Sequence, residues 1–197
     1  MAKPVKHVDG GLMTATNSDV YIGIDQSLTG FAVTAYAPTT GKFYSWVYTS
    51  NNRGVSRLVD IQDFLHDRLE EVNESGHTIV DIGIEASVYQ SQSASVLGEL
   101  AAAVKIYLWS MRSSYPLKVP VTMVKKFATN KGTAKKNEVM LGIYKNWGVE
   151  FSDDNMADSY VIARMVAALD GREHTTFVYQ NIVIDAIKAS PEKFRDS

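Results

Sequence analysis

The 197-residue sequence contains no cysteine. Disulfide scaffolds, thiolate nucleophiles and cysteine-based zinc sites are therefore excluded. Histidine is also scarce. His7, His66, His77 and His174 lack the spacing of a metal motif and do not support a Ser-His-Asp triad. Five prolines and 13 glycines are too few for a collagen-like or low-complexity chain. No uninterrupted apolar run approaches the ~18 residues of a membrane span. The first 18 residues carry no apolar stretch of the signal-peptide kind. The expectation is a soluble, cytoplasmic protein with no membrane partner.

What is present fits one globular domain. Apolar residues make up 45% and charged residues 21%, too hydrophobic for a disordered chain. The net charge of −2 conceals a segregation. Between Lys105 and Trp147 nine basic residues stand against one acid, Glu138, a local +8 that leaves −10 for the rest. Such a segment makes an anion-binding face on an acidic chain. Lys125, Lys126, Lys131, Lys135 and Lys136 are its densest part.

Residues 1–18 are polar and aperiodic, and are expected to be a flexible extension. Val20, Ile22 and Ile24 then alternate as in a strand. Phe31 to Tyr36 and Lys42 to Thr49 continue a three-strand meander through a Pro-Thr-Thr-Gly turn. Val55 to Val72 has helical spacing, and Thr78 to Ala86 reads as a buried strand. Ser93 to Ser114 reads as a long helix with two apolar sides. A short strand is expected at Val119 to Met123, with helices at about Lys135 to Asn146 and Asn155 to Leu169. The last of these opens on the capping run Ser152, Asp153, Asp154. One amphipathic stretch, Asn181 to Ala189, precedes a polar tail. This order predicts an α/β fold with a mixed central sheet flanked by helices. Its core domain spans residues 19–170, with 171–197 as a C-terminal extension.

The most informative feature is a near-duplication: residues 22–25 read Ile-Gly-Ile-Asp and residues 82–85 read Ile-Gly-Ile-Glu. Alternation puts the isoleucines on one face and the glycine and acid on the other. If the strands are neighbours, Asp25 and Glu85 lie side by side, with Gly23 and Gly83 leaving that face open. Two such carboxylates repel unless a cation lies between them, and hard oxygen ligands suit Mg²⁺ or Mn²⁺. Asp158 lies one turn before Ile162, at the edge of a buried helical stripe, where an acid needs a partner or a metal. Asp154 and Asn155 share its face. Asp153 is best read as a cap, and Asp154 as cap or ligand. Three carboxylates from two strands and a helix can hold two divalent ions for phosphodiester hydrolysis, with the basic segment supplying phosphate contacts.

These residues resemble the RuvC family of Holliday-junction resolvases, within the RNase H-like superfamily. The resemblance covers most of Tyr21 to Leu169. It rests on GIDQSLTGFAV (23–33), GIEASVY (83–89), VKKFATNKGTAKKNEV (124–139) and ADSYVIA (157–163), in order. It implies an RNase H-like fold and a homodimer that cuts opposed strands of a four-way DNA junction with Mg²⁺, two ions per site. Asp25, Glu85 and Asp158 would be metal ligands. Lys125 and Lys136, eleven residues apart around Gly132, would contact the scissile phosphate. The family's fourth ligand position, an Asp or His, is Asn155 here, so Asp154 is an alternative. The family's aromatic wedge, three residues after the glutamate, is Val88 here. Tyr89 follows and would stack on an unpaired base. The dimer would form through the helix from Ser93 to Ser114, where Gly98 and Ala101 to Ala103 permit close approach.

Other readings stay open. An actin-like ATPase or sugar kinase shares a hairpin like GIDQSLTG but needs a second such domain. A general branched-DNA or flap endonuclease, an RNase H-type enzyme and a catalytically weakened junction-binding protein fit the same residues.

Overall fold

The computed structural model describes residues 5–14, 17–86, 94–113 and 115–195. Its centre is a six-stranded mixed sheet. The strands are β1 (Lys6–Asp9), β2 (Asp19–Asp25), β3 (Phe31–Ala37), β4 (Lys42–Tyr48), β5 (Thr78–Glu85) and β6 (Leu117–Val119), in the order β1-β4-β3-β2-β5-β6. From β1 to β2 neighbours run antiparallel, whereas β2–β5 and β5–β6 are parallel. The expected meander and the pairing of the two Ile-Gly-Ile strands are both present.

Each face of the sheet is covered by helices, as a parallel segment requires. On one face lie α1 (Gly54–Glu74) and α2 (Ala94–Arg112). Ile61, Leu65, Leu69 and Val72 of α1 recur at helical spacing and pack with Leu100, Val104 and Leu108 of α2 over Ile22, Ile24, Ile82 and Ile84. By length and composition α2 could cross a bilayer, yet those three side chains are committed to this core. The other face carries α3 (Val121–Thr129), α4 (Lys136–Trp147), α5 (Asp154–Leu169) and α6 (Val178–Lys188). Helix α5 is central and almost wholly buried.

The seating of α5 follows from a row of small residues across the sheet. Gly23, Thr34 and Ser45 are register partners. Thr34 Oγ1 is 2.7 Å from both Ser45 Oγ and Ser159 Oγ, so the buried hydroxyls satisfy one another beneath the helix. A Cβ on Gly23 would lie 2.0 Å from the Ser159 carbonyl oxygen, and one on Gly83 would lie 2.5 Å from Val166 Cγ2. The face that the two glycines were expected to leave open is thus filled by α5. Farther along α5, the buried Arg164 guanidinium pairs with Glu173, donates to Tyr160 Oη and lies 4.7 Å and 4.6 Å from the Tyr36 and Trp147 rings. This ties the chain after α5 back to the core.

Several elements differ from the sequence reading. Residues 6–9 are not a loose extension but an edge strand, with His7 stacked on Tyr44 and Val8 against the core. Four residues are too few to show a period. The strand expected at Val119 to Met123 ends at Val119. Pro120, in extended conformation, opens α3 instead, because the β-branched run that follows packs as a helix with Val124, Phe127 and Ala128 buried. The amphipathic stretch at Asn181 to Ala189 is α6, which begins at Val178 and buries Val183, Ile184 and Ile187.

Gly23→Ala should therefore push α5 off the sheet and destabilise the chain by about 3 kcal/mol, at the upper end of overpacking effects. Urea unfolding measures this, and an unchanged midpoint would contradict the seating.

Candidate metal centre

Asp25 ends β2 and Glu85 ends β5. The pairing runs Ile22 with Ile82, Gly23 with Gly83 and Ile24 with Ile84, so the two acids emerge together at the carboxyl edge of the sheet. Gln26 locks the two strand ends by donating from Nε2 to the Glu85 carbonyl oxygen at 2.8 Å. Asp158, near the start of α5, arrives from above because the helix sits directly on Gly23. Asp153 caps that helix, its Oδ1 accepting from the Asn155 and Met156 amides at 3.0 and 3.2 Å.

One carboxylate oxygen from each of Asp25, Glu85 and Asp158 lies within 4.8 Å of the other two. Oxygens around one Mg²⁺ at 2.0–2.1 Å are at most about 4.2 Å apart. Side-chain adjustments of a few tenths of an ångström would bring these three to a shared ion. Asp25 is 7% exposed, and burying three like charges without a counter-ion is unfavourable. Burial, with the charges of Glu85 and Asp158 added, holds the Asp25 carboxyl well above the usual carboxylate range. Burial and Asp158 push Glu85 up to about 7, opposed by Lys125. Burial and Asp154 push Asp158 up to about 6, opposed by Lys125 and Lys136. The donor set fits a divalent cation: all oxygen, anionic, preassembled, and under strain that a cation would relieve.

The lysines separate into two groups. Lys125 of α3 and Lys136 at the start of α4 are near enough for their charges to act on the acid cluster. Lys136 is ion-paired with Asp154, and this contact raises its ammonium pKa, with Asp158 and Asp25 adding to the effect. Lys126, Lys131 and Lys135 belong to the α3–α4 connection and its flanks. Lys131 Nζ is 3.1 Å from Glu138 Oε1, and the Lys135 amide donates to Glu138 Oε2 at 2.6 Å, fixing the start of α4. Asp154 is outside the converging trio and is ion-paired with Lys136. The amide of Asn155 lies against Gly30, where a Cβ would come 2.4 Å from Nδ2. Tyr89 lies outside the described residues. The bridging role of Gln26 escaped the sequence reading, since nothing in a lone glutamine after a strand marks it.

No protein-family model and no curated protein matches the sequence. Among solved structures, Thermus thermophilus RuvC in complex with a Holliday junction substrate superimposes with a TM-score of 0.58 at 17% identity, covering 89% of this chain and 98% of that one. A second Thermus thermophilus RuvC structure gives 0.57 at 20% identity, covering 78% and 95%. The chain therefore has a RuvC-like, RNase H-like α/β fold.

The acid cluster also carries a pH signature. Without metal, the folded chain keeps protons on Glu85 and Asp158 at pH values where the unfolded chain, titrating near 4, has released them. The resulting stabilisation is full below about pH 4 and is lost as pH rises through about 6 to 7. Glu85→Gln should flatten this part of the curve, so that in EDTA the variant gains on the wild type between pH 5 and 7.5. Parallel melting curves across that window would contradict the coupling.

Proposed function

We propose that this chain is a divalent-metal-dependent endonuclease that hydrolyses phosphodiester bonds in branched DNA. A four-way junction is its preferred substrate, and it acts as a homodimer. The observation that carries this reading is the meeting of three carboxylates at one sheet edge beside Lys125 and Lys136. The same fold in a RuvC solved with a Holliday junction supports it.

Asp25, Glu85 and Asp158 would hold Mg²⁺, with Mn²⁺ able to replace it. When bound, the ion lowers the pKa of water and offsets charge on the leaving oxygen. The carboxylates must give up their protons for this, so metal affinity rises with pH through the range where Glu85 and Asp158 titrate. Lys125 acts on both acids and would neutralise the non-bridging oxygens of the phosphate being attacked. Lys136 would do the same from α4. Lys126, Lys131 and Lys135 would hold the DNA backbone beyond it. A second ion would draw on Asp154 or Asn155, the former by breaking its pair with Lys136.

The dimer reading rests on the outer face of α2. Ile106 and Trp109, turned away from Leu100, Val104 and Leu108, are 67% and 45% exposed. A large aliphatic and an aromatic side chain left outside together mark an interaction surface. Two copies joined there would present two cutting sites to the opposed strands of one junction.

Labelled four-way junction, linear duplex and 5′-flap DNA, incubated with Mg²⁺ or Mn²⁺ and resolved on a denaturing gel, test the assignment. Paired symmetric cuts in the junction are expected. Asp25→Asn should abolish them while junction binding persists, and Lys125→Ala should slow them about 100-fold. Equal cutting of linear duplex contradicts junction preference. Binding without cutting in both metals identifies a junction-binding protein, the reading that Asn155 and the Lys136–Asp154 pair favour.

A separate expectation concerns assembly. Ile106→Glu with Trp109→Glu should yield monomers in sedimentation velocity and turn paired cuts into single nicks. A dimer unaffected by both changes excludes α2 as its interface.

A further inference from the structure

A tethered cation stands beside the acid trio. Lys136 opens α4, and that helix start is pinned by Glu138, which accepts from the Lys135 amide at 2.6 Å and from Lys131 Nζ at 3.1 Å. From this anchor the Lys136 ammonium is ion-paired with Asp154, and its charge also acts on Asp158 and Asp25. Asp154 lies one helical turn before Asp158, and its own charge acts on the same two acids.

The donors that a second divalent ion would need are engaged. At the start of α5 the candidates are Asp153, Asp154 and Asn155. Asp153 Oδ1 accepts from the Asn155 and Met156 amides, at the positive end of the helix dipole. Asp154 is held by Lys136. Asn155 is uncharged, and its amide lies against Gly30. Charge leads to the same point. Asp25, Glu85, Asp158 and Asp154 carry four negative charges when ionised, and Lys125, Lys136 and one divalent ion carry four positive ones. A second divalent ion would leave this edge with two positive charges in excess. An ammonium about 5 Å from that ion would lower its affinity at least about tenfold even at the dielectric of water.

We infer that the centre holds a single divalent ion, and that the Lys136 ammonium, seated on Asp154, takes the place of a second. A lysine brings a compact point charge on a tether, so this cation is always present and takes up no coordination position at the ion. The inference deepens the proposed nuclease reading and rests on it for the metal centre. On that reading Lys136 supplies the charge neutralisation of a second ion, while Lys125 faces Glu85 and Asp158.

The test counts metal without DNA. Protein at pH 8 is titrated with Mn²⁺, and the free ion is followed by electron paramagnetic resonance. The wild type should bind one Mn²⁺ per chain. Lys136→Met should open a second site, at least about tenfold tighter than any further binding to the wild type. Lys136→Arg, which keeps the charge, should stay at one ion. Lys136→Met/Asp154→Asn should return to one ion, because the freed donor is gone. Two ions of similar affinity on the wild type, or a single ion on Lys136→Met, overturn the inference, as does a second ion retained by the double variant. Lys136 is 76% exposed on its side chain, so its replacement should leave the fold intact. A wild type that binds one ion but never cuts DNA ends the nuclease reading and leaves the count standing. One that cuts DNA and binds two like ions does the reverse, and one that binds no Mn²⁺ ends both.

Discussion

The contact between α5 and the two glycines of the sheet determines where everything else can be. Gly23 sits directly beneath the Ser159 carbonyl, and the next residue from Ser159 towards the helix start is Asp158. A side chain at either glycine would lift the helix and carry Asp158 away from Asp25 and Glu85. The hydroxyl row of Thr34, Ser45 and Ser159 serves the same close approach. It fills the thin gap with small groups that satisfy one another's hydrogen bonds, where a larger apolar row would hold the helix off and unpaired hydroxyls would be unfavourable.

Such closeness has an energetic consequence. Bringing three carboxylates together under burial raises all three pKa values, so the metal-free edge is under electrostatic strain. The rest of the fold is well placed to absorb it. Two separate apolar cores grip the sheet from opposite faces, and the caged Arg164 fixes the segment that leaves α5. The strain sits at one edge, where a bound divalent ion would convert mutual repulsion into shared attraction. This is the relation expected between a stable scaffold and a candidate metal site.

Much of this was legible in the sequence because it depends on local pattern. The Ile-Gly-Ile-acid repeat announced two similar strands, and period-two alternation placed both acids on one face. The helical stripe around Ile162 put Asp158 at an edge facing inward. What escaped depends on tertiary partners. Strand β1 is too short to show a period and exists because β4 offers it an edge. Helix α3 is written in residues that favour strands, and packing of Val124 and Phe127 overrode that preference. The purpose of the glycines was only half visible, since sequence shows a missing side chain but not the helix that needs its absence. The docking of the 3₁₀ turn Pro191–Lys193 beside β6, held by the Lys118 amide donating to the Phe194 carbonyl oxygen, has no local signature either.

The segregation of charge gains meaning once the fold is known. The segment from Lys105 to Trp147 is not one surface strip. It runs from α2 through β6 into α3 and α4, and so passes the carboxyl edge of the sheet on both of its faces. Within it, Lys125 and Lys136 are the two whose charges act on the acids. The excess of acid in the remaining sequence works in the opposite sense, repelling a polyanion from the rest of the molecule. At physiological ionic strength these fields extend about 8 Å, which on the proposed nuclease reading is far enough to orient a strand as it arrives but not to hold it anywhere else. A nearly neutral chain can in this way direct a polyanion to one edge, and net charge alone is a poor guide to what such a protein binds.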